Sequence, residues 1–243
     1  MWFEVSGFRL RFSIAEFAVV TGLKCSGQFD ESTLTSLDNN DLIKKYFNNS
    51  SKVSREAITT CFLGQRADCD EDAVKIAILY VIGLFLFTSP KEKFIRESYV
   101  AVVNAGLWEL YPWGKDLFDI TLQNLKGRLV RADTIKSDYF FYRILGFPLA
   151  LQVWFYECCD FCDGVFASRS GSLVPRILSW HSSVPLTFKK LNMELLCLSA
   201  SQLKLHNLVL SDVEKESPEL DALFAANILR PQSVPSTSNA GEV

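Results

Sequence analysis

Histidine is scarce. His181 and His206 are the only two in 243 residues. A nucleophilic Cys or Ser needs a base within hydrogen-bond reach and a third group to orient that base. None of the cysteines stands in a Gly-flanked, helix-starting setting, where a thiol becomes a good nucleophile. No complete catalytic set can therefore be assembled from the sequence, and none is expected. The phosphate-cradling patterns G-x-x-x-x-G-K-[ST] and G-x-G-x-x-G are absent, as is the G-x-S-x-G elbow. Gly22 to Gly27 is rich in small residues but follows a helical pattern, not a strand. Ser168-Arg169-Ser170-Gly171-Ser172 reads as a solvated loop.

An excess of basic charge is also lacking. Lys and Arg number 25 against 28 Asp and Glu, a net charge of −3, and they are dispersed. Nucleic-acid binders draw much of their affinity from a basic stripe, so that role is disfavoured, with a local patch left open. The longest apolar run, Ala77 to Phe87, is about half of the roughly 20 residues a membrane span needs. It is expected to be the most buried helix, and no membrane partner is expected. Met1-Trp2-Phe3-Glu4 has neither the basic region nor the cleavage site of a secretory signal. Seven irregularly spaced cysteines then read as reduced thiols in an intracellular protein, nuclear or cytoplasmic.

Core-forming side chains are plentiful. Hydrophobic residues make up 49% of the chain and include 19 Phe. At this length the core needs no disulfide or metal staple. The fold expected is mainly α (α+β), a helical globular domain with a small N-terminal β-hairpin.

Phe8, Leu10 and Phe12 alternate with Arg9 and Arg11, the period of a half-buried strand, and Ser6-Gly7 supplies the turn before it. Ser13-Ile14-Ala15-Glu16 matches a capping box, and the helix it opens stops at Gly22. Cys25 to Leu37 reads as a polar loop. Helices are expected over Asp41–Phe47 and from Ser54 to Leu63, closed by Gly64. The acidic run Asp68 to Asp72 suits the first turn of the long apolar helix. Further helices are expected over Arg96–Leu110, Lys115–Arg131, Asp138–Leu145 and Pro148–Glu157, with Tyr111 to Gly114 as a turn. One or two lie within Leu186–Leu210, and a last one runs from Ser217-Pro218-Glu219 to Leu229. Residues 1–180 are expected to form the main domain, 181–230 a helical extension and 231–243 a disordered tail.

One constellation carries metal chemistry. Cys159-Asp160-Phe161-Cys162 is a C-x-x-C, and His181 with Cys197 could complete a zinc set, though the second C-x-x-C of a strong zinc signal is missing. The plainer reading is a group of partly buried thiols ending an aromatic helix. No metal, cofactor or catalytic residue is therefore assigned. Trp108, Tyr111, Trp113, Trp154, Tyr156 and Trp180 read as core more than as a groove.

Five ordered blocks carry a resemblance. They are FRLRFSIAEFAVVTGLKC (Phe8–Cys25), DAVKIAILYVIGLFLF (Asp72–Phe87), YPWGKDLFDITLQNLKG (Tyr111–Gly127), YRILGFPLALQVWFYE (Tyr142–Glu157) and VPRILSW (Val174–Trp180). Together they are similar to the plant domain DUF1985, over about residues 1–180. Strand, Thr-Gly-Leu and Tyr-Pro-Trp-Gly also give a more distant similarity to the plant mobile domain. The DUF1985 resemblance implies a transposon-derived setting upstream of a Ulp-type (SUMO-specific) cysteine protease domain. The His-Trp pair, Asp, Gln and Asp-Cys-Gly of that protease are absent from this chain. The resemblance thus implies a non-enzymatic interaction or accessory module, with an unknown protein partner or the protease domain of a longer chain. The alternatives are the zinc-supported binding domain and a degenerate fragment of a protease polyprotein. The start at Met1-Trp2, already inside the hairpin, suggests that upstream residues are missing.

Overall fold

Two consecutive residues with positive φ, Ser6 at 48° and Gly7 at 80°, reverse the chain between β1 (Trp2–Val5) and β2 (Phe8–Arg11). Both central positions of a primed hairpin turn require such angles. The strands pair antiparallel with Trp2 opposite Arg11 and Val5 opposite Phe8. In this computed structural model the residues described are 1–30, 32–35, 41–50, 52–87, 93–132, 144–182 and 188–228.

The hairpin hands the chain to α1 (Ile14–Thr21). Ser13 N–H donates to Glu16 Oε2 at 2.7 Å, and Ala15 N–H donates to Ser13 Oγ at 3.2 Å. This is the expected capping box. Glu16 is 1% exposed and balances its charge on Arg11 Nε at 2.8 Å. Gly22, at φ 67°, closes the helix with its N–H on Ala18 O. Every residue of α1 after Ile14 is buried.

The segment expected as a loop holds one helical turn, α2 (Ser32–Thr35). Asp30 starts it, accepting from Ser32 N–H at 2.9 Å and from Ser32 Oγ–H at 2.7 Å. Such local side-chain bonds satisfy the first donors of a helical turn. Then come α3 (Asp41–Tyr46), α4 (Arg55–Leu63) and α5 (Asp70–Val81), which runs on as a π-helical turn over Ile82–Leu86. Ser54 caps α4 as expected. The left-handed residue after α4 is Gln65, at φ 49°, rather than Gly64.

The expectation that Ala77–Phe87 is the most buried helix is overturned. Ile76, Leu79 and Ile82 face inward at 0–3% exposure, while Val81 and Phe85 stand 45% and 57% exposed. This helix packs against α4 and α6 on one side only, whereas α1 is wrapped by α7, α8 and α12. The helix expected over Arg96–Leu110 is also shorter, α6 (Glu97–Asn104). Gly106 at φ 75° ends it: Gly106 N–H bonds Val103 O and Leu107 N–H bonds Val102 O, a Schellman closure.

The turn at Tyr111-Pro112 leads straight into α7 (Trp113–Ala132), two residues earlier than expected. Gly114 allows the backbone of Leu23 and Lys24 and the Cys25 sulfur to lie against α7, and its N–H donates to Lys24 O at 2.8 Å. The helix expected over Asp138–Leu145 falls mostly on residues outside the described ones, as does the tail at 231–243. Pro148 opens α8 (Pro148–Cys158), which passes into a 3-10 turn at Asp160–Cys162. A two-residue ladder pairs β3 (Ser168–Arg169) with β4 (Trp180–His181), and a 3-10 turn at Arg176–Ser179 precedes β4. The remaining helices are α9 (Phe188–Glu194), α10 (Ala200–Leu203), α11 (Asp212–Lys215) and α12 (Pro218–Ile228). The fold is α+β with an N-terminal hairpin, as expected.

Among the described residues, three clusters fill the interior. One joins α3 to α6 through Leu42, Ile58, Ile76, Leu79, Val102 and Val103. A second joins the hairpin, α1, α7 and α8 through Leu10, Phe12, Phe17, Leu117, Val153 and Trp154, with Leu220 and Phe224 of α12 packed on it. Each such fully buried side chain contributes roughly 1.5–3 kcal/mol. The third, smaller cluster lies beyond α8 around Tyr156, Cys159, Cys162, Phe166, Leu195 and Leu203.

Candidate functional site

Cys158, Cys159 and Cys162 are all 0% exposed, deeper than the partly buried position expected for them. They divide between clusters: Cys158 packs in the second, Cys159 and Cys162 in the third. Cys162 N–H closes a turn on Cys159 O at 3.0 Å, and the Cys159 S–H points at Leu203 O, 3.5 Å away. The bond from the Cys162 thiol holds the Cys159 thiol below its ordinary value, and that same bond pushes Cys162 up. His181 and Cys197, the other two candidate zinc ligands, lie exposed on β4 and just after α9. Cys197 S–H is 3.0 Å from Met193 O. No group of three His, Cys, Asp or Glu side chains able to hold a metal occurs among the described residues.

The second imidazole makes its ring contacts with oxygens. His206 Nε2 lies 3.1 Å from Asp160 Oδ1, and its Nδ1 lies 3.4 Å from Asn207 O. Burial pushes Cys158 up to about 12, and it raises Cys25 and Cys61 as well. A thiol held protonated in this way is a poor nucleophile. Of the six aromatics weighed as a groove, Tyr111, Trp113, Trp154 and Tyr156 are buried, and Trp108 and Trp180 are half-buried. Trp113 gives its indole N–H to Trp108 O at 2.8 Å.

The densest polar cluster was not legible in the sequence. Arg176 grips Glu214 with two bonds, Nε to Oε1 at 2.8 Å and Nη2 to Oε2 at 2.6 Å. Its Nη1 reaches Glu157 Oε2 at 2.7 Å, and Nη2 also donates to Val209 O at 2.6 Å. Glu157 Oε1 accepts from Trp180 Nε1 at 2.7 Å and lies 3.5 Å from Arg169 Nη2. These groups line a cleft of about 440 Å³ that also meets Asp160, Asp163 and His206. Both buried carboxylates accept from more than one donor, Glu214 also from Ser211 N–H at 2.8 Å. The cluster braces α8, the Arg176 turn, β4 and α11 together.

A different surface carries no such bracing. Val74, Ile78, Val81 and Phe85 recur at the spacing of one helical stripe. Val74, Val81 and Phe85 are 45–57% exposed. Phe62 of α4 stacks on Tyr80 with ring centroids 4.4 Å apart, Phe85 meets Tyr80 edge-on at 5.8 Å, and Leu63 adds a further 65% exposed side chain. Exposed Asp68, Asp70 and Glu71 sit at the N-terminal end of this stripe. Lys45 bridges Asp68 and Asp72, and Lys75 pairs with Glu71. Contiguous exposed apolar patches mark interaction surfaces.

The family model described as Domain of unknown function (DUF1985) matches residues 1–124, just over half of the chain. The chain belongs to the DUF1985 family. No curated protein and no solved structure matches it. The DUF1985 match contains the hairpin, α1 to α6, the start of α7 and the whole exposed stripe. The blocks at Tyr142–Glu157 and Val174–Trp180 lie beyond it, and so do the C-x-x-C and the Arg176 cluster. Among the described residues no helix is long and apolar enough to cross a membrane.

Proposed function

We propose that this DUF1985 chain is a non-enzymatic interaction module. The reading rests on the exposed stripe Val74, Ile78, Val81 and Phe85, extended by Phe62 and Leu63. An amphipathic partner helix fits such a face, with apolar side chains at the same spacing and Lys or Arg turned toward Asp68, Asp70 and Glu71. The partner proposed is a Ulp-type protease domain on a longer, transposon-derived plant protein, which this module would position. Free thiols at all seven cysteines suit an intracellular setting, nuclear or cytoplasmic. The dispersed charge and net −3 favour a protein partner over nucleic acid.

Calorimetric titration of the full chain with a Ulp-type protease domain tests the proposal. Val81→Glu and Phe85→Glu are expected to weaken binding at least tenfold and to leave the melting temperature within a few degrees, because both side chains already meet solvent. Binding that ignores both substitutions would sink the proposed face. Cleavage of a SUMO precursor by the purified chain would sink the non-enzymatic reading.

A further inference from the structure

We propose that Cys159 and Cys162 are a reversible dithiol–disulfide pair, a modification site open to low-molecular-weight disulfides when the segment over them swings away. Three features of the fold carry this. The two residues begin and end one 3-10 turn, closed by Cys162 N–H on Cys159 O at 3.0 Å. A turn closed in this way holds its first and fourth Cα atoms within about 7 Å, the outer limit of what a disulfide spans without backbone movement. Both side chains are 0% exposed and pack in the same third cluster. Cys158, the third thiol of the run, packs in the neighbouring cluster and takes no part.

The cover over the pair includes Leu195, just after the seven-residue α9, and Leu203, at the end of the four-residue α10, beside Phe166 and Tyr156. It is fastened by Cys159 S–H on Leu203 O and by His206 N–H on Cys158 O at 3.0 Å. Short elements with few buried contacts open at free energies well below global unfolding. The Cys162 thiol beside it holds the Cys159 thiol below its ordinary value, which favours Cys159 as the attacking thiolate once the pair is reached.

The chemistry balances as an exchange. Cys159 loses its proton to solvent and attacks one sulfur of a disulfide RSSR, forming Cys159–S–S–R and releasing RS⁻. Cys162, deprotonated in turn, attacks the Cys159 sulfur and releases the second RS⁻, which leaves a Cys159–Cys162 bond. The protein gives up two electrons, RSSR becomes two thiols, and the two protons end on them. Oxidation removes the S–H donated to Leu203 O, so the crosslinked form holds α10 more loosely.

The test uses the full chain with glutathione disulfide, followed by alkylation and intact-mass measurement. Loss of two hydrogens, mapped by peptide analysis to Cys159–Cys162, is expected, and dithiothreitol should reverse it. The bond should form severalfold faster in urea below the unfolding midpoint. In Cys162→Ser the reaction should stop at glutathione bound to Cys159. The wild-type mapping needs no variant to fold. Both thiols still alkylatable after prolonged exposure, or a bond mapped to other cysteines, would overturn the proposal. So would stoichiometric zinc bound to Cys159 and Cys162 in protein purified without chelator, because the pair would then be a metal site.

Discussion

Trp180 donates its indole N–H to Glu157 Oε1 at 2.7 Å, and the other oxygen of that carboxylate accepts from Arg176 at 2.7 Å. The Glu157 and Glu214 side chains are 3% and 1% exposed. Removing the one cation that bridges them would leave two buried carboxylates without their main partner. Breaking a buried pair in this way costs about 3–5 kcal/mol. Arg176→Met is expected to lower urea-unfolding stability by about that amount. Replacing Glu157, Arg176 and Glu214 together by apolar residues of similar volume should recover most of the loss, because no charge is then stranded. A triple variant as unstable as Arg176→Met would show that packing, and not charge, holds this region.

The same cluster sets a pH dependence. Burial pushes the Glu214 carboxyl up, but its bonds from Arg176 and Ser211 prevail and hold it below the ordinary 4.5. A carboxyl depressed in the folded state contributes stability that is full above its unfolded value and is lost as pH falls through its folded value, because the unfolded chain takes up the proton first. Stability should therefore fall as pH is lowered below about 4.5. Glu214→Gln should flatten that limb of the profile while lowering the neutral plateau. Chemical denaturation at a series of pH values reads both effects, and an unchanged acid limb would remove Glu214 from the account.

What the sequence disclosed and what it hid divide by range. The Ser6-Gly7 turn, the Ser13 and Glu16 capping box, the Gly22 stop and Pro148 at the head of α8 are all signalled within four residues, and all are present. The Arg176 cluster joins residues 19 and 38 positions from Arg176, with no spacing pattern to announce it. The run Ala77–Phe87 misled for another reason. It is apolar on every face, so the sequence cannot say which face lacks a neighbour. That is settled by α4 and α6, which cover one side of α5 and leave Val81 and Phe85 in solvent. The thiols at 158, 159 and 162 were legible as a group. Their depth was not, because it depends on Leu195 and Leu203, more than thirty residues further on.

Gly22 joins two distant blocks of the chain, one inside the DUF1985 match and one beyond it. It takes φ 67°, and a β-carbon placed there would lie 2.8 Å from Pro175 Cβ. Gly171 takes a similar angle, φ 75°, and a β-carbon there meets nothing within 4 Å. The two positions thus separate backbone cost from contact cost. A left-handed backbone costs an L-residue roughly 1–2 kcal/mol. Overfilling a packed contact adds about 1–3 kcal/mol. Gly171→Ala is expected to destabilise by about 1 kcal/mol, and Gly22→Ala by at least another 1 kcal/mol beyond that. Thermal or urea unfolding of the two variants beside the parent chain measures the difference. Equal losses would mean that the Pro175 loop yields freely and does not press on the end of α1. A larger loss at Gly22 would show that the Val174–Trp180 block is seated on α1 in solution, and that the DUF1985 core extends past the residues its family model matches.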